Sequence, residues 1–152
     1  MRLRSRNDWR IVGHQIDDSA LIVRDDNASR HLLRRSVMST CVQVVASYQE
    51  GQNGLPSPVA LSALDKLEDA VVSEADDDSR LVASTTGGGH RTWILYASTM
   101  SWISEFTAAL GRQFPTINID VRVEVDGDAS VYRQLRASRK YGRTVRTSAV
   151  DS

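Results

Sequence analysis

The stretch LVASTTGGGHRTWILY, residues Leu81–Tyr96, decides how the rest of this chain is read. Two runs rich in β-branched and aromatic residues, Leu81–Thr85 and His90–Ala97, flank Gly87-Gly88-Gly89. Glycines permit the positive φ that a tight reversal requires, so the spacing predicts a β-hairpin. The turn lacks both G-x-x-x-x-G-K-[ST] and G-x-G-x-x-G, and a strand rather than a helix follows it. A phosphate-cradling loop is therefore disfavoured.

On the C-terminal side, Trp102, Ile103, Phe106 and Leu110 share one side of a helix over Met100–Leu110, with Gly111 expected as its left-handed cap. After Pro115 the chain alternates with period two. Ile117, Ile119, Val121, Val123 and Val125 point one way, and Asn118, Asp120, Arg122, Glu124 and Asp126 the other. This predicts a strand with one buried and one wet face. Val131–Leu135 suggests a short last helix.

On the N-terminal side, Ser57-Pro58 supplies a capping hydroxyl and a first-turn proline. Ala60, Leu64, Leu67 and Val71 then form an apolar stripe opposite Asp65, Lys66, Glu68 and Asp69, and Asp76-Asp77-Asp78 ends the helix. Gly51–Ser57 reads as a loop and Met38–Tyr48 as a central strand. Strands over Trp9–Gln15 and Ala20–Arg24, turned by Asp17-Asp18-Ser19, come first, followed by a polar connector, Asp25–Arg35, with room for one helical turn.

From Met38 the order is strand, helix, strand, strand, helix, strand. It predicts an α+β fold: a ferredoxin-like βαββαβ antiparallel sheet with two helices on one face, preceded by an N-terminal β-hairpin. Thr116–Val125 falls at one edge of this core and Leu81–Thr85 at the other. The hairpin either extends the sheet or covers an edge. Residues 1–137 then make one domain, with the hairpin at 8–24, the core at 38–126 and a closing helix at 128–137. Residues 138–152 are expected to form a flexible basic tail.

With 152 residues, 41% hydrophobic and 25% charged, the composition is that of a globular domain. No apolar run is long enough to span a bilayer and no signal-peptide pattern opens the chain, so a cytoplasmic protein with no membrane contact is expected. Net charge is zero but uneven. Arg2, Arg4, Arg6 and Arg10 crowd the start, and six basic residues fall between Arg133 and Arg146. These ends could meet nucleic acid, but aromatics are sparse there. The single cysteine, Cys41, lies in an apolar run and reads as a core residue.

Nothing assembles a catalytic, cofactor or metal site. There is no G-x-S-x-G elbow, no ligand spacing among His14, His31 and His90, and no calcium-loop pattern in the triple aspartate. Asp65 and Asp69 share a solvated helix face. The more promising residues are Arg91, Trp93 and Tyr96. Arg91 and Trp93 alternate with Tyr96, and if they face outward they form an arginine–aromatic combination common at interface hot spots, while the competing reading has Trp93 or Tyr96 fill the core. Asp120, Arg122 and Glu124 on the neighbouring wet face join them as candidate partner-binding residues. The acids there repel phosphate, which favours a protein partner over RNA.

Leu55-Pro56, then Thr86, Gly89, Arg91, Trp93 and Tyr96, then Asp128, Val131, Tyr132 and Leu135 in a D-x-x-V/W-Y-x-x-L element, carry a resemblance. Over Trp9–Leu135 the chain resembles a bacterial family, domain of unknown function 695, related to the regulator of ribonuclease E activity B. The resemblance implies a ferredoxin-like fold and no established reaction, with no catalytic residues to carry over. Where a relative is understood, it acts by binding and inhibiting an enzyme. The chain departs from the pattern at Val131, where tryptophan is more usual, and in its arginine-rich end. The expectation is a non-enzymatic module that regulates a protein partner, such as a toxin's immunity protein or a ribonuclease regulator. Nucleic-acid binding through the arginine ends and Arg91/Trp93 is the alternative, and an enzyme with an unrecognised site a further one.

Overall fold

The computed structural model describes residues 9–16, 19–33 and 38–138. In chain order the elements are β1 (Trp9–Ile16), β2 (Ser19–Asp26), a single turn α1 (Ser29–Leu33), β3 (Thr40–Ser47), α2 (Pro58–Glu74), β4 (Arg80–Gly87), β5 (His90–Ala97), α3 (Ile103–Gln113), β6 (Ile119–Val125) and α4 (Ser130–Ser138). Six strands make one antiparallel sheet in the order β1-β2-β4-β5-β3-β6. β1 and β2 extend the sheet past β4, which is therefore an interior strand. The basic tail, Arg2, Arg4, Arg6 and the turn at 17–18 lie outside the described residues.

The glycine turn is a two-residue reversal between β4 and β5, with Gly88 at φ 60° and Gly89 at φ 84°. Positive φ at both central residues is the twist-matched hairpin solution. Gly87 is needed for a different reason: a Cβ there would come within 2.6 Å of the Ala20 carbonyl on β2. α2 starts as its sequence suggests, with Ser57 Oγ accepting from the Ala60 amide at 3.2 Å and proline opening the helix. α3 runs past Gly111 to Gln113. Pro115 explains this, because a residue preceding proline is pushed out of the helical region, and Phe114 has ψ 63°. Gly111 is an exposed helix residue, not the cap expected of it.

Both faces of the inner strands are covered, whereas β6 keeps the expected wet face at Asp120, Arg122 and Glu124. On the first face, Val42, Val44, Trp93 and Leu95 pack with Leu64, Leu67 and Val71 of α2 and Phe106 and Leu110 of α3. On the second, Cys41, Ile94 and Tyr96 pack with Leu33 of α1 and Tyr132 of α4. The unbroken apolar run in β5 is what a strand buried on both faces requires.

The second layer is held by polar groups that the sequence reading assigned to connector and wet face. Asp25 and Asp26 end β2 fully buried. The Asp26 carboxylate takes Arg80 Nη2 at 2.5 Å and Ser29 Oγ at 3.0 Å, and its carbonyl accepts from Tyr132 OH at 2.7 Å. Asp126, expected to point into water, is buried just past β6. It accepts from Tyr96 OH at 2.6 Å, Ser130 Oγ at 2.7 Å and the amides of Ser130 and Val131 at 2.8 and 3.0 Å. Those two amides are orphan donors at the start of α4, so Asp126 pins that helix to the sheet.

Burial alone would raise the Asp126 pKa, but the bonds from Tyr96, Ser130 and Val131 outweigh it and hold the group at about 2. A depressed carboxylate stabilises the fold fully above its unfolded pKa, near 4, and the gain is lost as pH falls through about 2. Asp126→Asn should therefore lower stability by about 2 kcal/mol at pH 7, with the gap to wild type closing between about pH 4 and pH 2. Denaturant midpoints across that range measure it. Burial likewise pushes the Cys41 thiol up to about 12. Since only thiolate reacts readily, Cys41 should resist a disulfide reagent at pH 8 in the native protein and react promptly once denaturant is added.

Candidate functional site

The six candidate contact residues separate into three groups. Arg91 and Trp93 lie on the α2/α3 face, Tyr96 lies inside the opposite layer, and Asp120, Arg122 and Glu124 line the exposed side of β6. Arg91, Trp93 and Tyr96 are candidate contact residues by sequence, which leaves open the face of their strand that is buried; the structure encloses all three. Trp93 and Tyr96 are fully buried and Arg91 is 9% exposed.

Arg91 and Trp93 instead sit in a row of polar side chains roofed by α2. Trp93 Nε1 donates to Glu68 Oε1 at 2.9 Å, and Arg24 Nη2 from β2 reaches the same oxygen. Arg24 Nε donates to Ser84 Oγ at 2.9 Å, and its guanidinium lies 5.6 Å from the Trp9 ring centroid. Arg91 Nε donates to Thr86 Oγ1 at 2.8 Å, and its Nη1 is 3.5 Å from Asp65 Oδ1. Desolvation, and then the neighbouring Arg24 charge, push the Arg91 pKa below the usual arginine range, while Glu68 and Asp65 oppose that shift. A buried indole N–H and two enclosed guanidiniums need such acceptors, so the row is a stabilising network. Its burial also removes the stacking surface that a nucleic-acid role for Arg91 and Trp93 would need.

Glu68 is the member that sequence reasoning misplaced on the solvated helix face. The signal was its spacing: Glu68 follows Leu64 by four residues and precedes Val71 by three, at the margin of the buried stripe. Asp65 does face water, with 66% of its side chain exposed. Tyr48 completes the neighbourhood. Its hydroxyl donates to the Gly54 carbonyl at 2.5 Å, and burial raises its pKa. Among the described residues no three His, Cys, Asp or Glu side chains gather as a metal would require. His90 is exposed, and its Nδ1 lies 3.1 Å from the Gly88 carbonyl of its own turn.

Among the described residues β1 and β6 are the two terminal strands of the sheet, and the remaining sequence candidates lie on β6. Among the described residues β6 pairs only with β3, so its outer backbone groups form a free edge. Toward the α4 face it exposes Asp120, Arg122 and Glu124. Arg122 Nε donates to Asp120 at 2.9 Å, and Glu124 accepts from Gln43 at 3.2 Å. Toward the α2/α3 face, Ile119 and Val121 pack on the core, but Val123 and Val125 do not, at 40% and 76% exposed. Period-two alternation could not reveal this, since it reports which face a residue points to and not how far a helix reaches over that face. Met100, also exposed, follows the end of β5 that aligns through Thr40 with Val125. Charges on one side, two uncovered valines on the other and free backbone between them can accept an added strand.

No helix among the described residues is long and apolar enough to cross a membrane. No curated protein and no solved structure matches the chain. A family model does match over residues 7–135, a span that takes in the glycine turn, the buried Arg91–Trp93 row and the α4 latch. The chain therefore belongs to the family of unknown function DUF695.

Proposed function

We propose that this chain is a non-enzymatic protein-binding module that inhibits or regulates a partner by pairing along β6. The carrying observation is the free edge of β6, flanked by the Asp120–Arg122–Glu124 row and by the uncovered Val123 and Val125. Main-chain hydrogen bonds at such an edge supply affinity, and the alternating side chains select the partner. Two acids around one arginine favour an incoming strand richer in basic residues, and that complementarity also speeds association. An immunity protein against a basic toxin, or a ribonuclease regulator akin to the regulator of ribonuclease E activity B, suits this chemistry, acting in the cytoplasm. The order β4-β5-β3-β6, with α2 and α3 on one face, supports a ferredoxin-like core behind the edge.

Affinity capture from the native host tests this reading. Wild type should retain a stoichiometric partner whose activity falls as the complex forms. Val123→Lys/Val125→Lys should keep its circular dichroism spectrum and weaken capture at least about tenfold, since each change sets a charge in the apolar half of the edge. Equal capture by the variant, or repeated recovery of no partner, would reject the edge-binding reading.

A further inference from the structure

We infer that in the absence of a partner the β6 edge is occupied by a second copy of this chain, paired antiparallel about Val123. This rests on reading β6 as a docking edge. The argument is the self-complementarity of its side chains.

Two copies related by a twofold axis set residue i opposite residue j with a constant sum. Centring the axis on Arg122 places Arg122 against Arg122 of the second copy and Asp120 against Glu124, like charges in direct opposition. Centring it on Val121 pairs Asp120 with Arg122 but sets the exposed Val125 beyond the half-buried Ile119–Val123 match. Centring it on Val123 opposes unlike charges within the strand and matches valines on the other face. The next pair outward, Asp120 with Asp126, falls past the end of β6, where the Asp126 carboxylate is buried and bonded to Tyr96 and Ser130. Arg122 then meets Glu124 twice, Val123 meets its own copy, and Val125, the most exposed valine of the strand, meets Val121.

The side chains also have capacity left for this register. Arg122 uses Nε on Asp120, which leaves its two terminal nitrogens for a carboxylate across the edge. Glu124 uses Oε1 on Gln43, which leaves Oε2. Arg122 is 67% exposed and Glu124 is exposed as well, so forming the pairs requires little desolvation of buried charge. Five paired residues make a small interface, which implies an affinity on the order of 10–100 μM and not an obligate dimer.

Sedimentation equilibrium on the full chain from about 1 μM to about 1 mM brackets that range. The apparent mass should climb from 16.8 kDa toward twice that value. Arg122→Glu and Glu124→Arg, each alone, should weaken self-association about tenfold, because each change places like charges opposite at two symmetric positions. The double exchange, Arg122→Glu/Glu124→Arg, should restore it to within about threefold. An equimolar mixture of the two single variants should associate more tightly than either alone, an outcome misfolding cannot produce. A wild type that stays monomeric throughout overturns self-pairing, while capture of a partner sensitive to the Val123/Val125 change would still stand. Association unaffected by Glu124→Arg overturns the Val123-centred register.

Discussion

Strand β5 sends Trp93 and Leu95 into one helix layer and Ile94 and Tyr96 into the other, and its two large rings each carry a polar atom into a dry interior. Every buried donor must find an acceptor or the fold loses the cost of its desolvation, about 1–3 kcal/mol. Trp93 is answered by Glu68, Glu68 by Arg24, and Arg24 by Ser84 and Trp9. Tyr96 is answered by Asp126, whose remaining lone pairs cap α4. Tyr132 on α4 then returns to the backbone at the end of β2. A single doubly buried strand thus recruits β2, α2, β6 and α4 into its own hydrogen-bond accounting, which ties the two layers together.

This constraint also assigns the recognisable residues of the chain. Thr86, Arg91 and Trp93 belong to the network under α2, whereas Tyr96, Tyr132 and Leu135 belong to the layer under α4. Gly89 keeps the reversal tight, and a side chain there would meet Glu50 Oε1 at 2.8 Å. Residues that mark the fold are therefore consumed in building it. A polar atom already bonded inside the protein has little left for a ligand, which is why the proposed contact chemistry is placed on residues that the fold does not use.

The local features were legible because their causes are local. A two-glycine reversal, a serine–proline helix start and period-two alternation each act within a few residues, and β4, β5, α2 and β6 all lie where those signals point. What escaped depends on distant elements. Asp126 alternates with wet-face residues, yet Tyr96 thirty positions earlier and α4 just after it draw it inside. Glu68 looks solvated until Arg24 and Trp93 arrive from two other strands. The extent of α3 was set by Pro115 and not by Gly111, a contest between two local signals that steric restriction at the residue before proline decides. The candidate contact residues split for the same reason: position along β5 did not disclose that both faces of that strand are roofed.

An exposed strand edge is ordinarily a liability, and charged side chains are one device that blunts it. The pattern on β6 goes further than blunting. A row of like charges would repel every copy of itself and most other strands alike, while Asp120, Arg122 and Glu124 alternate in sign and so repel some registers and welcome others. Val123 and Val125 add an attractive term on the opposite side, beyond the part of the strand that the helices cover. Because side chains alternate between faces, a one-residue slip would carry an incoming strand's apolar groups against the charges and its charges against the valines. Under the proposed pairing along β6, the edge is selective in register as well as in sign.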